Sequence, residues 1–277
     1  MLKFLRKIHG AIWRYKRNVL MPLKWHLEAI YLRHCSRKAI AHLVEVEHDK
    51  KYLILAPHSD DEWIGCSQII MNCPNSIICN MDMSGGDSEE IHQKRFDEMQ
   101  SLAKKFDRKF VPICDNKAEA LRKLVSQVKP DFIMVPHFVD WHKEHHQVMH
   151  LLETMILQGV YSGTVLTYQV SVPFVDREHC LFCPMTKEQQ KHKWDIFIEN
   201  YRTQYFMPVE RFKACEYING AAISSYAAEL YKSYDSKDWV TAMQESGEDT
   251  VTMDRLAQNI NDIIRIRRII GSISNPV

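Results

Sequence analysis

In Tyr52-Leu53-Ile54-Leu55-Ala56-Pro57-His58-Ser59-Asp60-Asp61-Glu62, five apolar residues run to a proline and give way at once to an imidazole and three carboxylates. An unbroken apolar run of that length reads as a strand buried on both faces, because a half-exposed strand would alternate apolar with polar positions. Helical spacing over 62–72 follows it. The alternation recurs downstream. Ser76 to Met81, Phe110 to Ile113, Phe132 to Val135 and Thr164 to Gln169 read as strands, with 89–106, 116–127 and 144–157 as helices between them. Such βαβ units predict an α/β, Rossmann-like, doubly wound fold: a mostly parallel sheet with helices on both faces. In that architecture ligands gather beyond the carboxyl ends of the strands, where the acidic cluster stands.

The flanks have another character. Residues 1–40 carry ten basic side chains against one acid, Glu28, a net +9 that leaves −8 for the other 237 residues. Leu5, Ile8, Ile12, Tyr15 and Val19 recur at helical spacing, Pro22 is expected to end that helix, and Leu23, Leu27, Ile30 and Tyr31 start a second. After residue 186 the chain reads as helical, through Lys187 to Tyr205 and finally Arg255 to Ile269, with Ser233 to Asp254 as the best loop or linker. The expected organisation is therefore a basic amphipathic helical extension (1–45), an α/β domain (46–235), and a C-terminal loop and helix packing on it (236–277). A composition of 45% hydrophobic and 26% charged residues suits a folded chain. No apolar run is long enough to cross a bilayer. Eight scattered cysteines without a secretory leader predict reduced thiols and a cytoplasmic location.

Three adjacent acids repel one another unless a cation neutralises them, and a divalent metal does so while using His58 as a ligand. An alternative is an acidic helix start, with one carboxylate capping the backbone. The strand Phe132 to Val135 leads into a second cluster, Pro136-His137-Phe138-Val139-Asp140-Trp141-His142-Lys143-Glu144-His145-His146. Both clusters fall on one rim of the predicted sheet. His58 and an acid of the first can then meet a histidine of the second around one ion, and two imidazoles plus a carboxylate with an open fourth position make a hydrolytic metal site.

These residues resemble the PIG-L/LmbE-like zinc N-deacetylases, whose motifs are His-Pro-Asp-Asp-Glu after the first strand and a later His-Pro-Asp-His. Here they read His58-Ser59-Asp60-Asp61-Glu62 and His142-Lys143-Glu144-His145. Weaker markers are Met83-Ser84-Gly85-Gly86, Arg95 with Glu98, Lys193 with Tyr201 and Gln204, and Glu210 with Phe212, so the resemblance spans about residues 51–220. It implies removal of the acetyl group from an N-acetylglucosamine-type conjugate, with Zn2+ or another divalent metal on His58, Asp61 and His145. It also implies Asp60 as general base, His142 as oxyanion stabiliser or proton donor to the amine, and Arg95 as a substrate contact. Glu144 would orient His142 from behind. Ser59, Lys143 and Glu144 depart from the family pattern without removing a ligand or proton-transfer group. His146 and His137 are rival ligands to His145.

Arg95 could equally pair with Glu98 on its own helix, and Cys180-Leu181-Phe182-Cys183 reads as a loop with two thiols because no second pair completes a zinc site. No dinucleotide fingerprint is present and no nucleic-acid partner is expected. Two fates are open to the basic helices of residues 1–40: peripheral contact with an anionic, inner membrane surface, or packing on the main domain or a second copy. Two other functions stay open: an amidase acting on another acyl amide, and a catalytically silent glycan- or membrane-binding scaffold.

Overall fold

The computed structural model describes residues 12–35, 44–83, 86–175, 180–246 and 250–274. Its eight strands are β1 (Val44–Glu45), β2 (Tyr52–Ala56), β3 (Ile77–Asn80), β4 (Lys109–Pro112), β5 (Phe132–Pro136), β6 (Thr164–Tyr168), β7 (Cys180–Met185) and β8 (Ala227–Asp235). They form one sheet in the order β1-β7-β8-β6-β5-β2-β3-β4. β2 pairs in parallel with β3 and β5, and β3 with β4, β5 with β6, and β1 with β7 do the same. β8 runs antiparallel to β6 and β7. The expected α/β, mostly parallel architecture is what the chain adopts.

All five residues of β2 are buried because both faces are covered. Tyr52, Ile54 and Ala56 meet α2 (Asp61–Asn72), α3 (Glu89–Lys105) and α6 (Lys187–Asn200) through Trp63, Ile69, Met99, Leu102, Trp194 and Phe197. Leu53 and Leu55 point the other way, into a core built with α4 (Lys117–Val128), α5 (Lys143–Leu157) and α8 (Ser236–Ser246). From β2 the chain moves to β3 and β4, then returns to β5 on the far side of β2. The order thus reverses between β2 and β5, and a crevice opens at their carboxyl ends. Gly65 lets α2 lie close over β6: a Cβ there would fall on the Tyr168 ring and within 3.0 Å of the Gln169 carbonyl.

Several expectations are corrected. Cys180 to Cys183 is a strand, and a spacing of three in a strand sends the two buried thiols to opposite faces, so they make no half-site. The helical reading beyond residue 186 misses β8, whose Ala-Ala-Glu-Leu start favours helix locally but is held between β6 and β7. The expected linker contains α8, which buries Trp239, Val240 and Met243. The final helix is two, α9 (Thr250–Gln258) and α10 (Ile263–Ser274).

Nor does Pro22 end a helix. Residues 12–15 run through a π-turn, Lys16–Leu20, straight into α1 (Met21–Cys35). The Met21 N–H reaches back five residues to the Lys16 carbonyl, and this wider turn makes room for the proline ring. α1 packs on α7 (Val209–Gly220) and α10 through Trp25 and Ala29 against Ala214, Ile218 and Ile263. Glu28 accepts the Ile263 N–H at 3.1 Å, setting a carboxylate at the positive end of α10. Among the described residues no helix is long and apolar enough to cross a membrane.

Candidate metal centre and active site

The turn after β2 and the start of α5 bring the two clusters together. One ligand atom from each of His58, Asp61 and His145 lies within 4.8 Å of the others. Asp61 Oδ2 sits 3.3 Å from His58 Nδ1 and 3.2 Å from His145 Nε2, and it also accepts the His58 N–H at 3.0 Å. Burial opposes the charge on Asp61, but His145 and His58 outweigh it and hold its carboxyl below the usual range. The His145 ring is fully buried, and neither of its nitrogens makes a well-formed hydrogen bond. Burial disfavours its charge too, yet Asp61 and Asp140 hold its pKa up at about 10. Two buried carboxylates thus favour positive charge at His145. His58 Nδ1 and the orphaned His145 Nε2, converging with Asp61 Oδ2, fit a divalent ion.

Asp140 is the residue that the sequence reading passed over. Its Oδ2 lies 3.3 Å from His145 Nδ1, and its Oδ1 accepts the His142 N–H at 3.1 Å. Burial would raise its pKa, but His145 and His142 bring it down to about 2. A carboxylate behind a ligating imidazole fixes the ring's orientation and raises its basicity. Asp140 backs the His145 ring and holds only the backbone of His142, while Glu144, expected behind His142, lines the cleft and no hydrogen bond joins it to His142 among the described residues. The five-residue step from Asp140 to His145 crosses a loop-to-helix boundary, so no helical spacing announced the pair.

The rivals are engaged elsewhere. His146 Nε2 meets the Asp140 carbonyl at 2.6 Å, and His137 pairs with the Thr167 hydroxyl at 3.2 Å beneath Phe174. Asp60 precedes α2 at φ 139°, and its side chain makes no capping bond, so the acidic run is more than a helix cap. Burial, then the Asp61 and Glu62 charges, push its carboxyl well above the usual range. His142 stacks on Trp141 with ring centroids 3.8 Å apart, and burial keeps its imidazole below its ordinary value. Asp60, His142, Arg95 and the three candidate ligands all line one cleft of about 510 Å³. Arg95 pairs with Asp87 at 2.5 Å rather than with Glu98.

Similar structures carry the same fold. The N,N'-diacetylchitobiose deacetylase of Pyrococcus horikoshii, solved with an inhibitor, is 17% identical with a TM-score of 0.54, over 69% of this chain and 85% of that one. The zinc-inhibited form of teicoplanin deacetylase is 10% identical at 0.51, over 68% and 99%. A conserved protein of Thermus thermophilus is 17% identical at 0.51, over 66% and 94%. This chain shares their α/β fold. No family model matches it, and neither does any curated relative.

Within that fold several of the weaker markers support the site from behind. Glu62 accepts from the Tyr201 hydroxyl and the Asp60 N–H, and burial raises its pKa to about 7. Gln204 donates to the Ser59 carbonyl at 3.3 Å, and Glu98 holds Thr203 through its N–H and hydroxyl. Lys193, fully buried, donates to Glu216 and Glu229 at 2.6 Å each and to the Ile64 carbonyl at 2.8 Å. Ser84 and Gly85 lie outside the described residues.

Proposed function

We propose that the chain is a metal-dependent N-deacetylase that hydrolyses the acetamide of an N-acetylamino sugar conjugate, with zinc as its ion. The observation that carries this reading is the convergence of His58, Asp61 and His145 beside an uncapped Asp60 carboxylate in one cleft. Zinc held there would polarise an amide carbonyl and make water acidic enough to attack near neutral pH. Asp60 takes the proton of the attacking water and passes it to the departing amine. His142, on the cleft wall, donates to the oxygen on which negative charge develops. Asp140 keeps His145 turned toward the ion. Arg95 presents forked donors to sugar hydroxyls from the rim. Eight free thiols suit a reducing, cytoplasmic setting.

The test is metal content by elemental analysis, wild type beside His58→Ala, paired with acetate release from a panel of N-acetylglucosamine conjugates. About one equivalent of zinc lost in the variant, with acetate released by the wild type alone, is expected. Metal without acetate would keep the ion and redirect the reading to another acyl amide. Absence of metal from both proteins after reconstitution would overturn it.

A further inference from the structure

The N-terminal helical segment carries apolar side chains on two faces, and the fold covers one. Inward, Met21, Trp25, Ala29 and Leu32 pack against α7 and α10. Outward, Val19, Leu23, Leu27 and Ile30 follow one another one turn apart, and Leu23 and Leu27 are 53% and 58% exposed. Trp13, Tyr15 and Tyr31 flank that row, each more than half exposed. Single exposed apolar residues are ordinary, whereas a continuous row marks a surface that something covers.

Charge selects the occupant. Residues 12–35 carry Arg14, Lys16, Arg17, Lys24 and Arg33 against a single acid, Glu28, which is buried on the inward side beneath the Ile263 N–H. Aromatic rings at the margin, aliphatic residues in the middle and five cations on a segment whose one carboxylate is buried complement anionic headgroups above acyl chains. A second copy of the chain is a poor complement, because a symmetric interface would bring this basic segment against itself. The segment also adjoins the active site. A groove of about 600 Å³ runs between Trp13, Arg17 and the Tyr205–Val209 stretch, and Phe206, Met207 and Pro208 line both it and the cleft. Arg17 ties the two together by donating to the Tyr205 carbonyl at 3.1 Å.

We infer that residues 12–35 dock on an anionic lipid bilayer, lying along the headgroup layer with the outward row in the acyl boundary and the cleft held beside the interface. This goes beyond the deacetylase reading and does not depend on it. The experiment is sedimentation of the full chain with phosphatidylcholine vesicles, with and without phosphatidylglycerol, at low and high salt. The wild type is expected to bind the anionic vesicles at least ~10-fold more tightly than the neutral ones and to release with salt. Leu23→Glu with Leu27→Glu should lose ~10-fold or more on the anionic vesicles, with an unchanged melting midpoint showing that the fold is intact. Arg14→Glu with Lys16→Glu should lose binding to the anionic vesicles alone. The inference is overturned if the wild type binds neither vesicle, or if the Leu23/Leu27 variant binds as the wild type does. It is also overturned if light scattering finds a wild-type dimer that this variant dissolves, which would give the row to a second copy.

Discussion

Asp60 holds φ 139° and ψ −27°, a conformation that L side chains avoid, and its carboxylate is buried beside Asp61 and Glu62. Backbone strain of this kind costs about 1–3 kcal/mol and is borne where a side chain must point one way. Asp60→Gly should therefore raise the melting midpoint while turnover falls; a midpoint that drops would show that no strain is stored there. Asp60→Asn, which keeps the shape and removes the proton acceptor, should cut turnover ~100-fold or more with metal content unchanged. Asp140→Asn is expected to weaken metal binding roughly 10- to 100-fold, read by competition with a chelator, and equal affinity would remove Asp140 from the ligand's support. His58 was legible in the sequence because it stands just past a strand end beside three carboxylates that need a cation, whereas the choice of Asp61 and His145 within their clusters came from the family resemblance. Asp140 was not, since its pairing with His145 depends on how the loop after β5 folds back.

Among the elements, α6 is fastened to the sheet by an ammonium. Burial works against the charge on Lys193, and Glu216 and Glu229 outweigh it, holding its pKa above the ordinary 10.5. Its contribution to stability is complete below that ordinary value and is lost as pH climbs through the raised one. Lys193→Met would strand two buried carboxylates and should cost about 3–5 kcal/mol in denaturant unfolding. Little change would mean that solvent reaches the pair. Gly65→Ala should cost about 1–3 kcal/mol by forcing α2 away from Tyr168. The parallel strands around β2 were readable because burial on both faces leaves unbroken apolar runs. β8 was hidden by the opposite circumstance: its buried Glu229 answers Lys193, a partner 36 residues away, so local composition said helix where long-range pairing makes a strand.

For the whole molecule, the first and last of the described helices, α1 and α10, share one small core with α7 around Trp25, Ile218 and Ile263. Glu28→Ala would strip the Ile263 N–H of its acceptor and should lower stability by about 1 kcal/mol. Spacing marked Leu23, Leu27, Ile30 and Tyr31 as the apolar stripe of this helix, whereas the fold buries the opposite face through Trp25 and Ala29 and leaves that stripe exposed. The moment of such a helix nearly cancels, because both faces are greasy.

The π-turn of residues 16–20 gives that helix an unusual register. A turn closed by a five-residue step holds one residue more than its neighbours, and each residue advances an α-helix by about 100°. Excising Asn18 would let the turn revert to regular α geometry and swing everything before it by about that angle about the helix axis. Trp13 would then leave the groove while Trp25 stayed in place. A single surplus residue acts here as a gear tooth, setting the azimuth of the N-terminal stub against the rest of the protein.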